Sequence, residues 1–344
     1  MSTNQSIKNP NVSTLGAVKV AVIGLAGVGR AHVDRWAGNP DAELVSVCDI
    51  VPQITNDFAS QYGVQGYTSA EEMLDTEDLT AISICTPPKI HLALTRAAAE
   101  RGIHVLCEKP MASTVSDCQE MIDVCKSAGI VLQIGHKKRF IPPLLRLKEL
   151  TEGEFGPIQY MVHRYPHPGM SNKDWFWAED DGGGPILENA VHAADILGFL
   201  MGDVERVYAE GGTYFAPHRK PQIDCAMFTL RFKSGAIGIV NAGMVSMGGF
   251  SFEDFYVANE NGVAEVTGGF DRVDTLHYSF RNDPETLHEE NYPDFDSFRA
   301  EIEHFIECIV TGSEPRASGE AGMKAVAICR AVKRSAEIGE PVTL

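Results

Sequence analysis

The stretch GIHVLCEKPM, residues 102–111, ends in side chains that could do chemistry. Its first part is apolar and rich in β-branched residues, which predicts a buried strand. The strand stops abruptly at Glu108, Lys109 and Pro110. An acid, a base and a proline at this point indicate either an exposed strand end or a reactive centre at the carboxyl edge of a sheet. The strand alone leaves both interpretations open.

A glycine-rich turn, GLAGVG at residues 24–29, directly follows the first predicted strand and opens a helix. The dinucleotide fingerprint has glycine at the positions of Gly24, Ala26 and Gly29, so Ala26 departs from it. The start of the helix would still offer free N–H groups and a positive dipole end to a phosphate. The alternative is a tight strand-to-helix turn without a ligand.

Asp49 closes the second predicted strand, about 20 residues after Gly29, where the ribose-binding acid of this fingerprint belongs. A carboxylate at this point repels a 2′-phosphate. The sequence therefore favours NAD over NADP, and NADP stays an open alternative.

The segment GGGPILENAVHAADILGFLMG, residues 182–202, predicts one helix that begins near Pro185 and is buried nearly all round. Glu188, His192 and Asp195 lie at spacings of four and three, hence on one stripe. Unpaired burial of polar groups costs several kcal/mol, so these side chains need partners or a cavity. The stripe indicates a core histidine satisfied by its neighbours, a catalytic histidine with a carboxylate one turn away, or a metal site. Spacing alone supplies no third confident ligand, so we predict no metal.

The elements that would position these residues alternate between strand and helix patterns from residue 18 to residue 134. Strands are predicted over residues 18–24, 43–49, 79–88, 102–110 and 130–135. Strands separated by helices indicate a parallel, doubly wound α/β sheet, and ligands of such sheets bind at the carboxyl ends of the strands.

The pattern changes after about residue 140 to strands with few helices between them. In CAMFTLRF, residues 225–232, apolar and polar side chains alternate, which is typical of a strand with two different faces. We therefore predict a flexible tail over 1–17, a Rossmann domain over 18–139, and an α+β domain over 140–344. The last domain would contain a large, mainly antiparallel open sheet, followed by helices near the end of the chain.

Composition limits the class of protein. A chain of 344 residues exceeds one compact core, so two domains are expected. No apolar run reaches the roughly 18 residues of a membrane span. The net charge of −18 argues against nucleic acid or an anionic membrane surface as a partner. The eight cysteines form no CxxC pair and lie mostly in apolar stretches, which is typical of buried thiols in a reducing cytoplasm.

Several motifs together resemble the glucose-fructose oxidoreductase / inositol dehydrogenase (Gfo/Idh/MocA) family, over nearly the whole chain from Val18. GLAGVGRAH is similar to its cofactor turn with a following histidine, here His32. CTPPKIH, residues 85–91, resembles its third-strand motif, and Glu108-Lys109-Pro110 matches its EKP signature. In GGGPILENAVHAAD an acid precedes the histidine by four, as in the family's second-domain helix, although Glu188 stands where the family usually has Asp.

The resemblance implies NAD-dependent oxidation or reduction of a secondary hydroxyl on a cyclic polyol or sugar. His192 would take the hydroxyl proton as general base, and Lys109 would hydrogen-bond the same oxygen and stabilise its developing charge. Glu188 would contact Lys109 or the substrate, and Glu108 would contact the cofactor or anchor its loop. The hydride would pass to the nicotinamide.

The resemblance also implies a set of binding residues. Those for the cofactor are Gly24, Ala26, Gly27, Val28, Gly29, Asp49, Thr86, Pro87, His91, Glu108 and Lys109. Those for the substrate are Lys109, His136, Trp175, Glu188, Asn189 and His192.

Two segments beside these residues allow more than one interpretation. His136 begins the segment HKKRF, whose basic residues 137–139 are predicted to be solvated. Trp175 and Trp177, in the aromatic loop 164–184, would either stack on a sugar or line the nicotinamide pocket, or else belong to a core. Weaker candidates for substrate contacts are His163, His167 and Lys173.

The family's second-domain sheet usually packs against another subunit, and strands 225–243 are expected to expose one face. The resemblance therefore implies a homo-oligomer, a dimer or a homotetramer. Two other functions stay open: a glycosidase that uses NAD transiently and returns it unchanged, and a sugar-responsive regulator without turnover. The presence of both Lys109 and His192 argues against the regulator.

Overall fold

The computed structural model describes residues 16–169, 171–247 and 252–344, so most of the predicted tail over 1–17 lies outside the described residues. The chain divides into two compact units. The first runs to Ala112 and adds Ser116–Gly135 and Phe298–Glu320. The second consists of Ser113–Val115, His136–Ser297 and Ala321–Leu344.

The first unit contains a parallel sheet with helices between its strands. The strands are β1 Val18–Ile23, β2 Ala42–Cys48, β3 Gln65–Tyr67, β4 Ala81–Ile84, β5 His104–Cys107 and β6 Leu132–Ile134. The helices are α1 Val28–Ala37, α2 Pro52–Tyr62, α3 Ala70–Thr76, α4 His91–Ala99 and α5 Val115–Ala128, with a 3₁₀ turn at Pro88–Ile90. The strand order is β3-β2-β1-β4-β5-β6, and all described pairs are parallel. This order confirms the predicted doubly wound Rossmann sheet. β3 was not predicted from the sequence, because a strand of three residues is too short to show alternation of apolar and polar side chains.

The second unit contains a nine-stranded sheet. Its strands are β7 Tyr160–Pro166, β8 Val204–Gly212, β9 Cys225–Phe232, β10 Ile237–Gly243, β11 Glu253–Ala258, β12 Gly262–Gly269, β13 Arg272–Phe280, β14 Asp283–Asn291 and β15 Val342–Thr343. The helices from residue 136 onward are α6 Pro142–Glu152, α7 Asp174–Trp177, α8 Gly184–Glu188, α9 Ala190–Met201, α10 Ser297–Thr311 and α11 Gly319–Ile338. Two 3₁₀ turns lie at Lys137–Phe140 and Pro217–Arg219.

The order of this sheet is β14-β13-β12-β11-β7-β10-β9-β8-β15. Among the described pairs, only β7 and β10 run parallel, so the predicted mainly antiparallel open sheet is confirmed. The alternation predicted for β9 is also present, because Phe228, Leu230 and Phe232 are buried while Met227 is 59% exposed. The sheet thus has one buried face and one open face.

The segment 298–320 packs in the first unit, although the sequence pattern grouped it with residues 140–344. Ile302, Phe305 and Ile306 of α10 belong to the same hydrophobic cluster as Val20 and Trp36. The apolar face of α10 completes the core of the Rossmann unit. Periodicity identifies such a helix but does not tell which core it completes.

None of the helices within the described ranges combines the length and hydropathy that a transmembrane segment requires.

Candidate functional site

The glycine turn joins β1 to α1 in a shape that requires all three of its glycines. Gly24 has φ 87° and Gly27 has φ 60°, the left-handed region that favours glycine. A Cβ on Gly29 would lie 1.9 Å from the carbonyl oxygen of Gly24, so the helix start leaves no room for a side chain. Ala26 has no positive φ and is exposed, so its methyl group carries no backbone penalty.

The outer side of this turn fits a nucleotide phosphate. A Cβ on Gly27 would meet no atom within 4 Å, and Gly27 is exposed. α1 begins at Val28, and no side chain among the described residues caps this helix start. The positive end of α1 is therefore available to an anion such as the pyrophosphate of a dinucleotide.

Asp49 lies directly after β2 and contacts the glycine turn. Its Oδ2 accepts a hydrogen bond from the N–H of Leu25 at 2.9 Å, and its Oδ1 accepts one from the N–H of Val51 at 3.0 Å. These two bonds fix the orientation of the half-buried carboxylate. An ionised carboxylate has about four acceptor sites, so Asp49 keeps acceptor capacity for ribose hydroxyls.

His91 anchors the loop after β4. Its ring is fully buried, with Nε2 2.8 Å from the carbonyl oxygen of Thr86 and Nδ1 3.1 Å from that of Met111. Burial lowers the pKa of His91 below its ordinary value. His91 thus links this loop to the residues after Lys109, while Thr86 and Pro87 are the half-buried residues that the loop presents.

Glu108 and Lys109 follow β5 at the carboxyl edge of the sheet. Lys109 is half-buried, whereas Glu108 is only 4% exposed. Glu108 Oε1 lies 3.0 Å from His32 Nε2, and its Oε2 accepts a hydrogen bond from the N–H of Lys109 at 3.1 Å. These contacts favour the anchoring role of the two roles that the resemblance allows for Glu108.

In the second unit, the helix predicted from Pro185 to Gly202 is interrupted. α8 ends at Glu188, α9 begins at Ala190, and Asn189 lies between them with φ −106° and ψ −51°. The prediction of one continuous helix is wrong at this residue. Asparagine has low helix propensity, and the N–H of His192 bonds to the Asn189 carbonyl at 3.2 Å, which starts a new helix.

The buried surroundings predicted for these residues are confirmed. Glu188 is 5% exposed and His192 is 8% exposed. Asn189 is half-buried, and its Nδ2 has no hydrogen-bond partner among the described residues. The second unit therefore carries three neighbouring polar residues on α8, on α9 and between them, in helices whose only other charged residue is Asp195.

Asp195 pairs with Arg139, on the 3₁₀ turn that follows β6. Arg139 Nε lies 2.9 and 3.0 Å from the two carboxylate oxygens, and Nη2 lies 2.8 Å from Oδ1. The buried His136 lies beside this pair, 3.7 Å from Asp195 Oδ1. The His136 ring also meets the His192 ring edge to face, with centroids 6.4 Å apart. The structure thus brings His136 and His192 together and gives Asp195 a structural partner.

The prediction that residues 137–139 are solvated is wrong. Lys138 is fully buried and Arg139 is only 9% exposed. Lys138 Nζ lies 2.6 Å from Glu253 Oε2 and 2.9 Å from Asp271 Oδ1. Carboxylates from β11 and from the turn before β13 neutralise this charge. Without them, burial of the ammonium would cost several kcal/mol of free energy.

The pKa directions in this cluster follow from burial and pairing. Burial alone would lower the pKa of Lys138, but Glu253 and Asp271 outweigh burial and raise it. Burial alone would raise the pKa of Glu253, but Lys138 and His163 lower it. His163, whose Nε2 lies 3.0 Å from Glu253 Oε1, has its pKa lowered by burial. Lys138 and Glu253 therefore form a charged pair, with His163 as a neutral neighbour.

The aromatic loop is divided between core and surface. Trp177 is buried and its Nε1 donates a hydrogen bond to the carbonyl of Ser171 at 2.8 Å, so it is a core residue. Trp175 is half-buried, and Lys173 Nζ lies 5.6 Å from its ring centroid. His167 is half-buried and contacts the backbone of the next residues. Of these two tryptophans, only Trp175 keeps a partly exposed side chain.

Within the described ranges, the donor atoms of Glu188, His192 and Asp195 do not form a compact metal-ligand group. The one such group there is His32, Glu108 and Glu301 of the first unit, with donor atoms within 4.8 Å of one another.

Two family models match this chain. Residues 18–136 match the model described as oxidoreductase family, NAD-binding Rossmann fold. Residues 144–265 match the GFO/IDH/MocA C-terminal domain, so the two matches cover more than half of the chain. The chain belongs to the Gfo/Idh/MocA family. Its first unit is the NAD-binding Rossmann domain, and the protein is an NAD(P)-dependent oxidoreductase.

Members of the Gfo/Idh/MocA family resemble this chain along nearly all of its length. Myo-inositol 2-dehydrogenase of Thermotoga maritima is 28% identical over 343 residues, which cover 95% of this chain and 98% of that protein. The structure of aldose-aldose oxidoreductase from Caulobacter crescentus, complexed with glycerol, has a TM-score of 0.85 at 26% identity and covers 95% and 100% of the two chains. The WlbA dehydrogenase from Bordetella pertussis, complexed with NADH and UDP-GlcNAcA, has a TM-score of 0.83 at 26% identity, with 95% and 99% covered.

Sequence reasoning missed the acidic partners of the basic segment in this Gfo/Idh/MocA chain. Glu253 and Asp271 are separated from Lys138 by more than a hundred residues, and no spacing rule connects such positions. The sequence contains one indication of this burial. Lys138 and Arg139 lie between the apolar Ile134 and the apolar residues that begin at Phe140, and charged side chains within an apolar stretch are buried only with partners of opposite charge.

Proposed function

We propose that this protein is a dehydrogenase that moves hydride between a secondary hydroxyl carbon of a cyclic polyol or sugar and NAD. NADP is the alternative cofactor. In this proposal the first unit binds the dinucleotide and the second unit binds the polyol. Relatives named as myo-inositol and aldose oxidoreductases support this substrate class.

One observation carries the proposal: His192 is buried among Glu188, Asn189 and His136 in a chain whose other unit binds NAD. A buried imidazole beside amide and carboxylate groups suits a substrate that carries several hydroxyls. The Asn189 amide, whose Nδ2 lacks a partner among the described residues, suits a hydroxyl oxygen as acceptor.

In the proposed reaction His192 accepts the proton of the substrate hydroxyl during oxidation and returns it during reduction. Lys109 donates a hydrogen bond to the same oxygen and stabilises the negative charge that develops there. Glu188 accepts a hydrogen bond from a neighbouring substrate hydroxyl. The bound nicotinamide supplies the hydride chemistry.

The proposed cofactor site uses features of the first unit alone. Gly27 and the start of α1 receive the pyrophosphate, and Asp49 receives the ribose hydroxyls. Ile50, which follows Asp49, is 85% exposed although it is apolar. We propose that Ile50 packs on the adenine ring, which would explain an exposed isoleucine at this point.

The experiment that tests this function is a substrate survey. The purified chain is mixed with NAD or NADP and, separately, with inositols, aldoses, sugar acids and the matching glycosides. The near-ultraviolet absorbance of reduced nicotinamide is followed in each mixture. Net reduction with an inositol or aldose supports the proposal and identifies the preferred cofactor.

Two other outcomes would replace the proposal. Cleavage of a glycoside that needs NAD but yields no net NADH would indicate a glycosidase with transient redox. Tight binding of a sugar with no turnover under any condition would indicate a sugar-responsive regulator.

We also propose that the open face of the nine-stranded sheet pairs with a second copy of the chain. Tyr160, Met227, Ile237, Ile239 and Tyr256 expose large apolar side chains on neighbouring strands. The pairing of β10 with β7 and β9 places Ile237 opposite Tyr160 and Asn241 opposite Met227, so these residues share one face. Exposed apolar side chains on four neighbouring strands, with Thr229 and Arg231 among them, are typical of a subunit interface.

A further inference from the structure

A chain of buried hydrogen bonds reaches the backbone of Lys109 from the interior of the first unit. Trp36 Nε1 donates to Ser83 Oγ at 2.8 Å. Ser83 Oγ lies 3.2 Å from His32 Nδ1, and His32 Nε2 lies 3.0 Å from Glu108 Oε1. The other Glu108 oxygen accepts the N–H of Lys109 at 3.1 Å. Side chains of α1, β4 and the end of β5 thus form one connected path.

The path is enclosed on all sides that the structure describes. His32 and Ser83 have no exposed surface, and Glu108 is 4% exposed. A Cβ on Gly135 would lie 2.8 Å from Glu108 Oε1, so β6 is followed by a glycine that gives the carboxylate room. The Phe298 ring meets the His32 ring edge to face at 5.8 Å. Such packing leaves the Glu108 carboxylate little freedom to turn.

The directions of these bonds select one tautomer of His32. The indole N–H of Trp36 can only donate, so Ser83 Oγ accepts that bond and directs its own hydrogen elsewhere. The Glu108 carboxylate can only accept, so His32 Nε2, which lies 3.0 Å from Oε1, donates this bond and carries the proton. In the neutral ring Nδ1 is then an acceptor, 3.2 Å from Ser83 Oγ. Each donor along the path then meets an acceptor.

We propose that His32 is a positioning residue for Lys109. With its proton on Nε2, it holds the Glu108 carboxylate in the orientation that accepts the Lys109 N–H. The direction in which Lys109 leaves the strand follows from this bond. The effect of this hydrogen bond on turnover rests on the function proposed above. The presence of the bond does not depend on that function.

Glu301 of α10 lies close to the same residues. Its side chain is fully buried, and its carboxylate lies within 4.8 Å of the His32 and Glu108 donor atoms. Both Glu108 oxygens are already used, by His32 and by the Lys109 N–H. We therefore interpret this group as a hydrogen-bonded support of the loop and not as a metal site.

Two amide substitutions separate positioning from packing. The amide nitrogen of His32→Gln reaches the place of Nε2, so it can still donate to Glu108. The amide nitrogen of His32→Asn reaches only the place of Nδ1, so the contact with Glu108 is lost. Both variants are neutral and differ by one methylene. Thr95→Val serves as a control, because Thr95 is a fully buried residue of α4 whose hydroxyl has no partner among the described residues.

The first readout is hydrogen–deuterium exchange of the full chain, followed by mass spectrometry of peptides that cover residues 108–112. No substrate or cofactor is added. We expect His32→Asn to speed exchange of the Lys109 amide about tenfold, the effect of losing a hydrogen bond held by a charged acceptor. His32→Gln and Thr95→Val should retain the protection of the wild type.

The second readout is turnover with a substrate found in the survey, beside NADH affinity from fluorescence. We expect His32→Asn to lower kcat about tenfold or more, and His32→Gln to restore most of it. NADH affinity should change less than kcat. Because the exchange experiment needs no redox substrate, failure of the proposed function would leave its result intact.

Equal exchange and equal turnover in His32→Asn and His32→Gln would overturn the proposal. So would increased exchange spread evenly over the whole first unit. If His32→Asn does not fold, Glu108→Gln tests the same bond, because it keeps the shape of the side chain and weakens the acceptor. Wild-type protection of the Lys109 amide in Glu108→Gln would contradict the proposal.

Discussion

At the residue scale, Asp49 is held by two neighbouring backbone N–H groups, from Leu25 and Val51. This double contact fixes a negative charge beside the glycine turn. A ribose with free hydroxyls gains two hydrogen bonds from such a carboxylate, while a ribose 2′-phosphate meets repulsion. We therefore propose that the choice between NAD and NADP depends largely on the charge of Asp49.

The first prediction concerns Asp49→Asn. The amide can still accept the N–H of Leu25, but it carries no charge. We expect NAD affinity to fall about tenfold, and NADP affinity to rise, because a charged acceptor is lost together with its repulsion of phosphate. Titration of both cofactors, followed by tryptophan fluorescence, measures the two changes. An unchanged ratio of affinities would show that Asp49 does not select the cofactor.

A matched control lies in the same unit. Asp57 is an exposed carboxylate on α2 that contacts Gln53. Asp57→Asn changes the net charge of the chain by the same amount. It should leave both affinities as in the wild type, which separates the local effect from that of overall charge.

At the element scale, the 3₁₀ turn Lys137–Phe140 directs two cations into the second unit. Arg139 meets Asp195 of α9, and Lys138 meets Glu253 of β11. These pairs connect the turn to the helix that carries His192 and to the sheet. Removing one partner of a buried pair leaves an uncompensated buried charge, which strongly lowers the free energy of unfolding.

The second prediction is that Lys138→Met lowers the free energy of unfolding by about 3–5 kcal/mol at neutral pH. The variant leaves the buried Glu253 without its cation, whereas Asp271 keeps its ion pair with Lys137. Urea unfolding, followed by circular dichroism, gives the value. The control Lys233→Met removes a lysine from an exposed turn and should change stability by less than about 0.5 kcal/mol. A similar small effect for Lys138→Met would contradict the importance of the pair.

The third prediction concerns pH. The folded pKa of Glu253 is lowered, so its stabilising contribution is present above the ordinary pKa of about 4 and is lost as pH falls through the folded value. The pKa of Lys138 is raised, so its contribution persists through neutral pH and is lost only at strongly basic pH. The stability difference between the wild type and Lys138→Met should therefore shrink as pH falls below about 4. A stability difference between the two proteins that grows as pH falls would contradict this prediction.

Most of the fold could be predicted at this scale, because β1, β4 and the helices between the parallel strands show clear periods. The break at Asn189 could not, since the apolar pattern runs through it without interruption. The burial of Lys138 could not either, because it depends on Glu253, which only the folded sheet brings near. Local pattern thus predicts elements and their faces, whereas long-range pairing of charges requires the tertiary structure. Asp195 is also of this second kind, since its partner Arg139 decides its role.

At the scale of the whole molecule, we propose that the two units bind cofactor and substrate separately and that the open sheet face binds another copy of the chain. The fourth prediction is that the wild type forms a dimer or tetramer. Ile239→Lys, in the middle of the apolar face, should dissociate it, because a buried unpaired ammonium is costly. Light scattering coupled to size exclusion measures the mass.

The control for this experiment is Tyr214→Lys, which changes an exposed aromatic residue outside the strands of the open face. It should leave the mass of the assembly unchanged. A wild type that is monomeric at high concentration would contradict the proposed use of the face.

The central claim is tested most directly by the rate of nicotinamide reduction in Lys109→Ala and His192→Ala, with the substrate that the survey identifies. Lys233→Ala and His277→Ala are matched controls, since both residues lie away from the proposed site, in a turn and in β13. We predict that kcat falls about 10²–10⁴-fold in His192→Ala and by a similar order in Lys109→Ala, while both proteins stay folded and bind NADH. The two control variants should keep the wild-type rate. Wild-type turnover in either Lys109→Ala or His192→Ala would contradict the account.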